Sequence, residues 1–485
     1  MNKSYSKAKI FRLSGVAFLF GIILSYVFTF KVLFLVFLIL FLIFVFLFIF
    51  FRKRIPLAVI FFIIFSLIFG FLRYKKALNF INYPIEISKL QDISFEVVLS
   101  EELENYQKLT VKVYGLKTLF GGIIYTDLKP AYFKGEIIKV NKGKFEKITN
   151  PYYANGLFIF FKINYPFISK IQTNKFLVFF SILKNKIKNI FNNYLLQPQS
   201  SLLTSLVFGK KGNLNKDLEE ELNLSGLSHL VAVSGLHLVI LTEIIVDFLN
   251  NFSLNRFIRA LILLSLLLFF ALLSGFTPSI TRALIMALLL VFAELNFRLY
   301  HPLNALIFTA LIMTFSNPFI LIYDFGFQLS FLATLGIILL TPIFRKTYFL
   351  NQSSFKFLRN FQEAFFSSLS ALIFVYPWLI FKTGNISVLS LISNTLVVPF
   401  IPYVLILALI LILFNFFYFP ALFFGWLLNF CLTYILIIVR MFSSLKFFII
   451  SFPFKIRPIF LLFYIFLIFY YLKYKKEQLF IKENI

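Results

Sequence analysis

The chain has 485 residues, of which 60% are hydrophobic, 20% aromatic and 14% charged, with a mean hydropathy of +0.91. Soluble domains are nearer a quarter charged, so the composition excludes an ordinary soluble globular protein and points to an integral membrane protein. The formal net charge of +27 has two readings: lysines snorkelling at membrane edges in an AT-biased coding sequence, or a polyanionic partner such as nucleic acid or anionic lipid.

A bilayer core of ~30 Å takes about 20 apolar residues per helix. The expected fold is therefore a polytopic α-helical membrane protein of about 10–12 spans, some of them broken. Residues 1–76 hold the first three, at Leu13–Phe30, Val32–Phe51 and Ile55–Leu72. The opening "MNKSYSKAKIFR" is basic like the start of a signal peptide, but the apolar run behind it reaches Phe51, too long for a cleaved leader. Lys3, Lys7, Lys9 and Arg12 share a side with Arg52, Lys53 and Arg54, and the positive-inside rule places that side and the N-terminus in the cytoplasm. The single cysteine, Cys431, permits no internal disulfide and no cysteine-based metal site.

Residues 77–165 change texture. "ISFEVVLS", "LTVKVYGL", "GGIIYTDL" and "GEIIKV" are short, partly alternating and separated by turn residues, as in a small extracytoplasmic all-β barrel or sandwich. Its size suits an OB-like domain inserted after the third span, although periodicity does not choose the topology. Residues 166–225 read as amphipathic or linker helices. "NKFLVFFSILKNKIKNIFNN", from Asn174 to Asn193, has the helical spacing of a segment lying in the interface. Pro198 and Ser200–Ser201 start a second helix that Gly209 ends, and Asn215 is the candidate cap of a third whose first turns carry Asp217, Glu219 and Glu220.

Residues 226–475 return to the membrane. Candidate spans are Leu227–Leu249, Phe257–Gly275, Arg282–Leu295, Leu303–Phe315, Phe325–Ile343, Ala364–Phe381, Val388–Leu413, Ala421–Met441 and Pro458–Tyr471. The third and fourth of these are short, as tilted pieces or one broken unit would be. A basic cytoplasmic tail, 476–485, follows.

Polar groups inside such runs either meet a partner or line a wet path. "SGLSHLVAVSGLHLVIL", Ser225 to Leu241, repeats a Ser-Gly-Leu-His pattern and holds His229 and His237. Helical geometry puts Ser225 and His229 on one face. Gly226, Ser234 and Gly235 allow close approach of a neighbouring helix or of a cavity. The histidines lack zincin spacing. "SGFTPSITRALIM" places Arg282 beside an interrupted helix; it either snorkels or binds phosphate through its fork, helped by helix N–H groups. Glu294 and Arg298 are spaced to pair on one helix. Asp324, four residues before Gln328, either caps a helix or faces a lumen. Asn394 lies in a run interrupted by Pro377, Gly384 and Pro399, which is a broken helix or a kinked one. No catalytic, nucleotide-binding or metal motif stands in a suitable context, so neither an enzyme nor a cofactor is expected.

Taken together these motifs resemble the ComEC family of competence proteins, which carry DNA across the cytoplasmic membrane of transformable bacteria. The resemblance rests on "GLSHLVAVSGLHLVIL", "SLLTSLVFGKKGNL", "SGFTPSITRALIM", "NPFILIYDFGFQLSFLATLGI" and "YPWLIFKTGNISVLSLISNTLVVPFIP". It implies a multi-pass channel for single-stranded DNA in the cytoplasmic (inner) membrane, with an OB-type outer domain. Many relatives add a metallo-β-lactamase-like domain; no HxHxDH cluster occurs here, so a separate nuclease is expected. An outer DNA receptor, a cytoplasmic motor, membrane lipids and self-association complete the implied partners. On this reading His229, Ser234, Gly235, His237, Arg282, Asp324, Gln328 and Asn394 are the candidate path residues. Tyr106, Tyr114 and Tyr125 are candidate outer contacts for single-stranded DNA by stacking, against ordinary barrel packing. The competing readings are a small-molecule or lipid-linked substrate transporter, an intramembrane hydrolase using Ser234 and His237, and an outer domain that binds envelope polymer.

Overall fold

Leu-, Ile- and Phe-rich runs without internal breakers form helices, and the β-branched segments between them form a sheet. A computed structural model describes residues 6–27, 57–78, 94–102, 106–114, 120–127, 131–142, 145–154, 156–209, 214–231, 235–347, 356–445 and 448–467. The expected span Val32–Phe51, the residue Ser234 and the tail 476–485 lie outside them.

Helices α1 (Lys7–Val27) and α2 (Leu57–Leu78) come first. Seven strands follow: β1 (Ser94–Glu102), β2 (Gln107–Val113), β3 (Phe120–Thr126), β4 (Glu136–Lys142), β5 (Phe145–Ala154), β6 (Leu157–Asn164) and β7 (Phe167–Thr173). Next are α3 (Lys175–Tyr194), α4 (Gln199–Phe208), α5 (Lys216–Leu224), α6 (Ser228–Val231), α7 (Gly235–Asn250), α8 (Arg256–Ser274), α9 (Pro278–Leu295), α10 (Pro302–Ser316), α11 (Ile320–Tyr323), α12 (Phe325–Thr347) and α13 (Lys356–Thr383). The chain continues through β8 (Asn385–Ser387), α14 (Ser390–Val397), α15 (Ile401–Phe414), α16 (Tyr418–Ser444) and β9 (Ile449–Ser451).

Among the described residues seven helical runs are long and apolar enough to cross a membrane: Lys7–Val27, Arg256–Ser274, Pro278–Leu295, Phe325–Lys346, Arg359–Thr383, Ser390–Phe414 and Tyr418–Ser444. The protein is thus a multi-pass membrane protein. One expected piece changes. Arg282–Leu295 gains its length because Pro278 starts α9 one turn earlier, where a missing N–H costs nothing. Of Leu227–Leu249, expected as one span, the described residues are helical over Ser228–Val231 and Gly235–Asn250.

By contacts the chain forms two units, Met1–Ser181 with Leu288–Gln328, and Ile182–Ala287 with Leu329–Ile485. In the first, Gly21 and Gly70 let α1 and α2 touch backbone to backbone: a Cβ on either would strike a carbonyl of the other helix. The strands order β5-β6-β3-β2-β1-β4-β7, with β3 and β6 parallel and the other pairs antiparallel. Alternation gives the sheet its inner face, with Phe95, Val97, Leu109, Val111, Ile124, Ile138, Phe161 and Ile163 in one core. β7 lies beyond the boundary expected at 165 and pairs with β4. An aromatic joint ties the sheet to helices. Phe158 meets Phe319 at 5.2 Å and Tyr323 at 5.3 Å, and Tyr74 meets Phe319 at 5.2 Å.

In the second unit α4, α5, α6, α14, α15 and α16 share a core that includes Leu203, Leu206, Leu222, Leu230, Val397, Val404, Leu428 and Leu432. Gly209 ends α4 in left-handed backbone, as its sequence position suggests. Asn215 stands at the N-cap of α5 but makes no side-chain capping bond.

Candidate functional site

The first Ser-Gly pair is a packing device. Ser225 caps the end of α5 and Gly226 reverses the chain at φ +75, a backbone that favours glycine. Ser225 and His229 therefore stand on different helices, not on one face as helical spacing implied. The turn is clasped by a later segment: Ser387 Oγ donates to Leu224 O at 3.0 Å and Ser393 Oγ donates to Ser225 O at 2.8 Å. Tyr376 of α13 donates to Ser387 O at 2.7 Å and also bonds Ser390 Oγ. His229 is exposed on α6, its Nδ1 3.2 Å from Gly226 O.

The second pair has a different setting. Gly235, in α7, packs on the first turns of α9. A Cβ there would fall on the Arg282 guanidinium and lie 3.3 Å from Ser279 O and 3.4 Å from Ala283 Cβ. Arg282 is 8% exposed, which is burial and not snorkelling. Its Nη1 donates to Ser330 O of α12 at 2.5 Å, and its Cζ lies 5.9 Å from the centre of the Phe331 ring. Among the described residues no charged group acts on it, and Nε has no hydrogen-bond partner. Ser330 Oγ and Asn394 Oδ1, on α12 and α14, are likewise buried polar atoms without a partner. His237, two residues after Gly235 in α7, is fully buried.

Asp324 and Gln328 belong to the first unit. Asp324 Oδ1 accepts from Phe327 N at 2.7 Å, so it caps α12. Burial holds its carboxyl above the usual carboxylate range, against the lowering effect of the Phe327 and Gly326 N–H groups. Gln328 Nε2 donates to Leu321 O at 2.9 Å and Ile322 O at 2.8 Å. Asn317 accepts from Phe319 N at 3.1 Å and donates to the Tyr153 hydroxyl of β5 at 2.8 Å. The Asn-Pro to Phe-Gln-Leu-Ser-Phe motif thus folds a tight junction between α10 and α12. Glu294 and Arg298, expected to pair on one helix, do not: α9 ends at Leu295 and Phe297 turns the chain at φ +53.

On the sheet, the Tyr106 and Tyr125 rings pack edge to face at 5.6 Å. Lys108, Lys112 and Lys162 pair with Glu101 (3.5 Å), Glu96 (2.9 Å) and Glu146 (2.9 Å). Three lysines of the sheet are thus paired with acids, and the two rings pack on each other. Tyr114, after β2, is 48% exposed. Sequence reasoning missed Tyr376, Ser390 and Ser393, whose roles depend on contact with a turn about 160 residues earlier. Ser330 stands two residues after Gln328 in the same motif.

Known proteins were compared with this chain. It is 27% identical to ComE operon protein 3 of Bacillus subtilis (strain 168) over 211 residues, 43% of this chain and 26% of that relative. It is 34% identical to an uncharacterized protein of Aquifex aeolicus (strain VF5) over 141 residues, 29% of this chain and 33% of the relative. The match therefore spans about a quarter of the one and a third of the other. No solved structure matches. The profile of the family described as Competence protein matches residues 206–477, more than half of the chain and all of the α7–α9–α12 arrangement around Arg282. The chain belongs to that family, the ComEC competence proteins.

Proposed function

We propose that the chain is a channel carrying single-stranded DNA across the cytoplasmic membrane during DNA uptake. The observation that supports this most directly is the guanidinium of Arg282, buried among apolar helices without a counter-ion among the described residues. A bare phosphate inside a bilayer is costly, so a path for nucleic acid must supply positive charge and unsatisfied polar groups of its own. Arg282, Ser330 and Asn394 are such groups. The family and the name of the Bacillus subtilis relative favour the same reading.

The sheet is assigned an OB-like fold outside the membrane. A β1–β2–β3 meander, β4 returning to β1, and β6 running parallel to β3 support a Greek-key barrel. The N-terminus lies in the cytoplasm, DNA arrives from an outer receptor, and a cytoplasmic motor draws the strand inward. Degradation of the other strand belongs to a separate nuclease, so the purified chain leaves labelled DNA intact. The test is deletion of the gene and complementation with wild type or Arg282→Gln, reading labelled DNA in the cytoplasm. Entry is lost on deletion and restored only by wild type. Entry unchanged by deletion overturns the reading.

A further inference from the structure

Where α13 ends, the second unit gathers three cations and no acid. The span Arg359–Thr383 closes on Lys382, which is exposed, its Nζ 5.5 Å from the centre of the Trp378 ring and 5.9 Å from that of Phe381. Gly384 follows at φ +82 and leads into β8, whose pairing with β9 continues as Phe452 N donates to Gly384 O at 2.8 Å. Beyond β9 a 3₁₀ segment, Phe454–Leu461, carries Lys455, exposed, and Arg457, half-buried. The Arg457 guanidinium rests against Gly384, where a Cβ would fall on Cζ and Nη2. Its Nε donates to Phe452 O at 3.0 Å and its Cζ stands 5.7 Å from the centre of the Phe454 ring. The guanidinium is thereby fixed, yet Nη1 and Nη2 make no hydrogen bond or ion pair among the described residues. Neither 378–388 nor 448–460 contains an aspartate or glutamate.

The surroundings of these cations select the anion. Ile450, Phe454, Ile456 and Ile459 are exposed, Phe454 to 80%. Apolar side chains exposed where a span ends meet acyl chains, and cations beside them, laid on aromatic rings, stand at the level of the headgroups. A nucleic-acid strand would answer the charge and leave the three isoleucines against water; a phospholipid answers both. We propose that Arg457, flanked by Lys382 and Lys455, binds the headgroup phosphate of one anionic phospholipid, whose acyl chains lie along Phe454 and Ile459. The two Nη atoms offer parallel donors to two phosphate oxygens, and the lysines add charge without fixed geometry. Gly384 is required because a side chain there takes the place of the guanidinium. The lipid also braces β8, whose Ser387 holds Leu224 O.

The full chain, purified in a maltoside detergent and stripped of lipid, is titrated with dioleoylphosphatidylglycerol or dioleoylphosphatidylcholine and read by native mass spectrometry. Wild type takes up the first phosphatidylglycerol about tenfold more tightly than phosphatidylcholine, whose headgroup has no net charge. Arg457→Gln weakens phosphatidylglycerol binding about tenfold, and Lys382→Gln, at an exposed side chain, about fivefold. Arg359→Gln, exposed at the opposite end of the same span, binds as wild type does. Equal affinity of wild type for the two lipids, or wild-type affinity in Arg457→Gln, overturns the site. If that variant does not fold, wild-type affinity in Lys382→Gln overturns it instead. Oligothymidylate is the competitor: phosphatidylglycerol retained in its presence supports the lipid, and displacement at equal concentration gives the patch to a nucleic-acid strand and overturns the assignment.

Discussion

Gly226 and Gly235 occupy matching places in a repeated sequence pattern and do different work. Gly226 is needed for its backbone, at φ +75, and for the space that Ser390 occupies. An alanine there meets left-handed strain of about 1–2 kcal/mol and an overpacking cost of about 1–3 kcal/mol. Gly226→Ala should therefore lower the unfolding temperature of the detergent-solubilised protein clearly, and an unchanged melting curve would show that the turn is not fixed as described. Ser393→Ala removes the bond to Ser225 O and should cost less, about 1 kcal/mol. Gly235→Ala, in contrast, reaches a charged group that the fold keeps without a counter-ion among the described residues, so on the channel reading its larger effect is on DNA entry.

The elements themselves were legible wherever their signals are local. Apolar spacing with interleaved lysines gave 174–193 against the observed Lys175–Tyr194, and Gly209 stops α4 where expected. What could not be read depends on partners distant in sequence. The break at Gly226 is stabilised by Ser387 and Ser393, and β7 exists because β4 offers it an edge. Of the candidate site, Arg282 and Gly235 were legible as an arginine beside a small residue near helix starts, but not that α7 would abut it. Asp324 shows the same limit. Its spacing from Gln328 fits a cap or a lumen equally, and only the bond to Phe327 N decides. Asp324→Asn keeps an accepting oxygen and should leave stability within a few tenths of a kcal/mol, whereas Asp324→Ala should cost about 0.5–2 kcal/mol. Equal loss of stability in both, measured by thermal unfolding, would show that the charge itself matters and the cap does not.

At the scale of the whole molecule, the direction of the first helices relates the side of the sheet to the side of the N-terminus. Phe18 of α1 meets Phe69 of α2 at 5.9 Å, and Tyr26, further along α1, meets Tyr74, further along α2, at 6.5 Å. The two helices thus run in the same sense, and the strands that follow α2 emerge on the side opposite the start of α1. The basic residues Lys7, Lys9 and Arg12 favour a cytoplasmic start, and the proposed topology accordingly has the sheet outside. The chain's one cysteine, Cys431, is readily replaced, so single cysteines can report each side. In intact cells of a Cys431→Ala background, a membrane-impermeant maleimide should label Tyr114→Cys. It should reach Lys9→Cys only after the membrane is opened. The reverse pattern would put the sheet in the cytoplasm, where an entering strand would meet it last, and the outer domain could then play no part in receiving DNA.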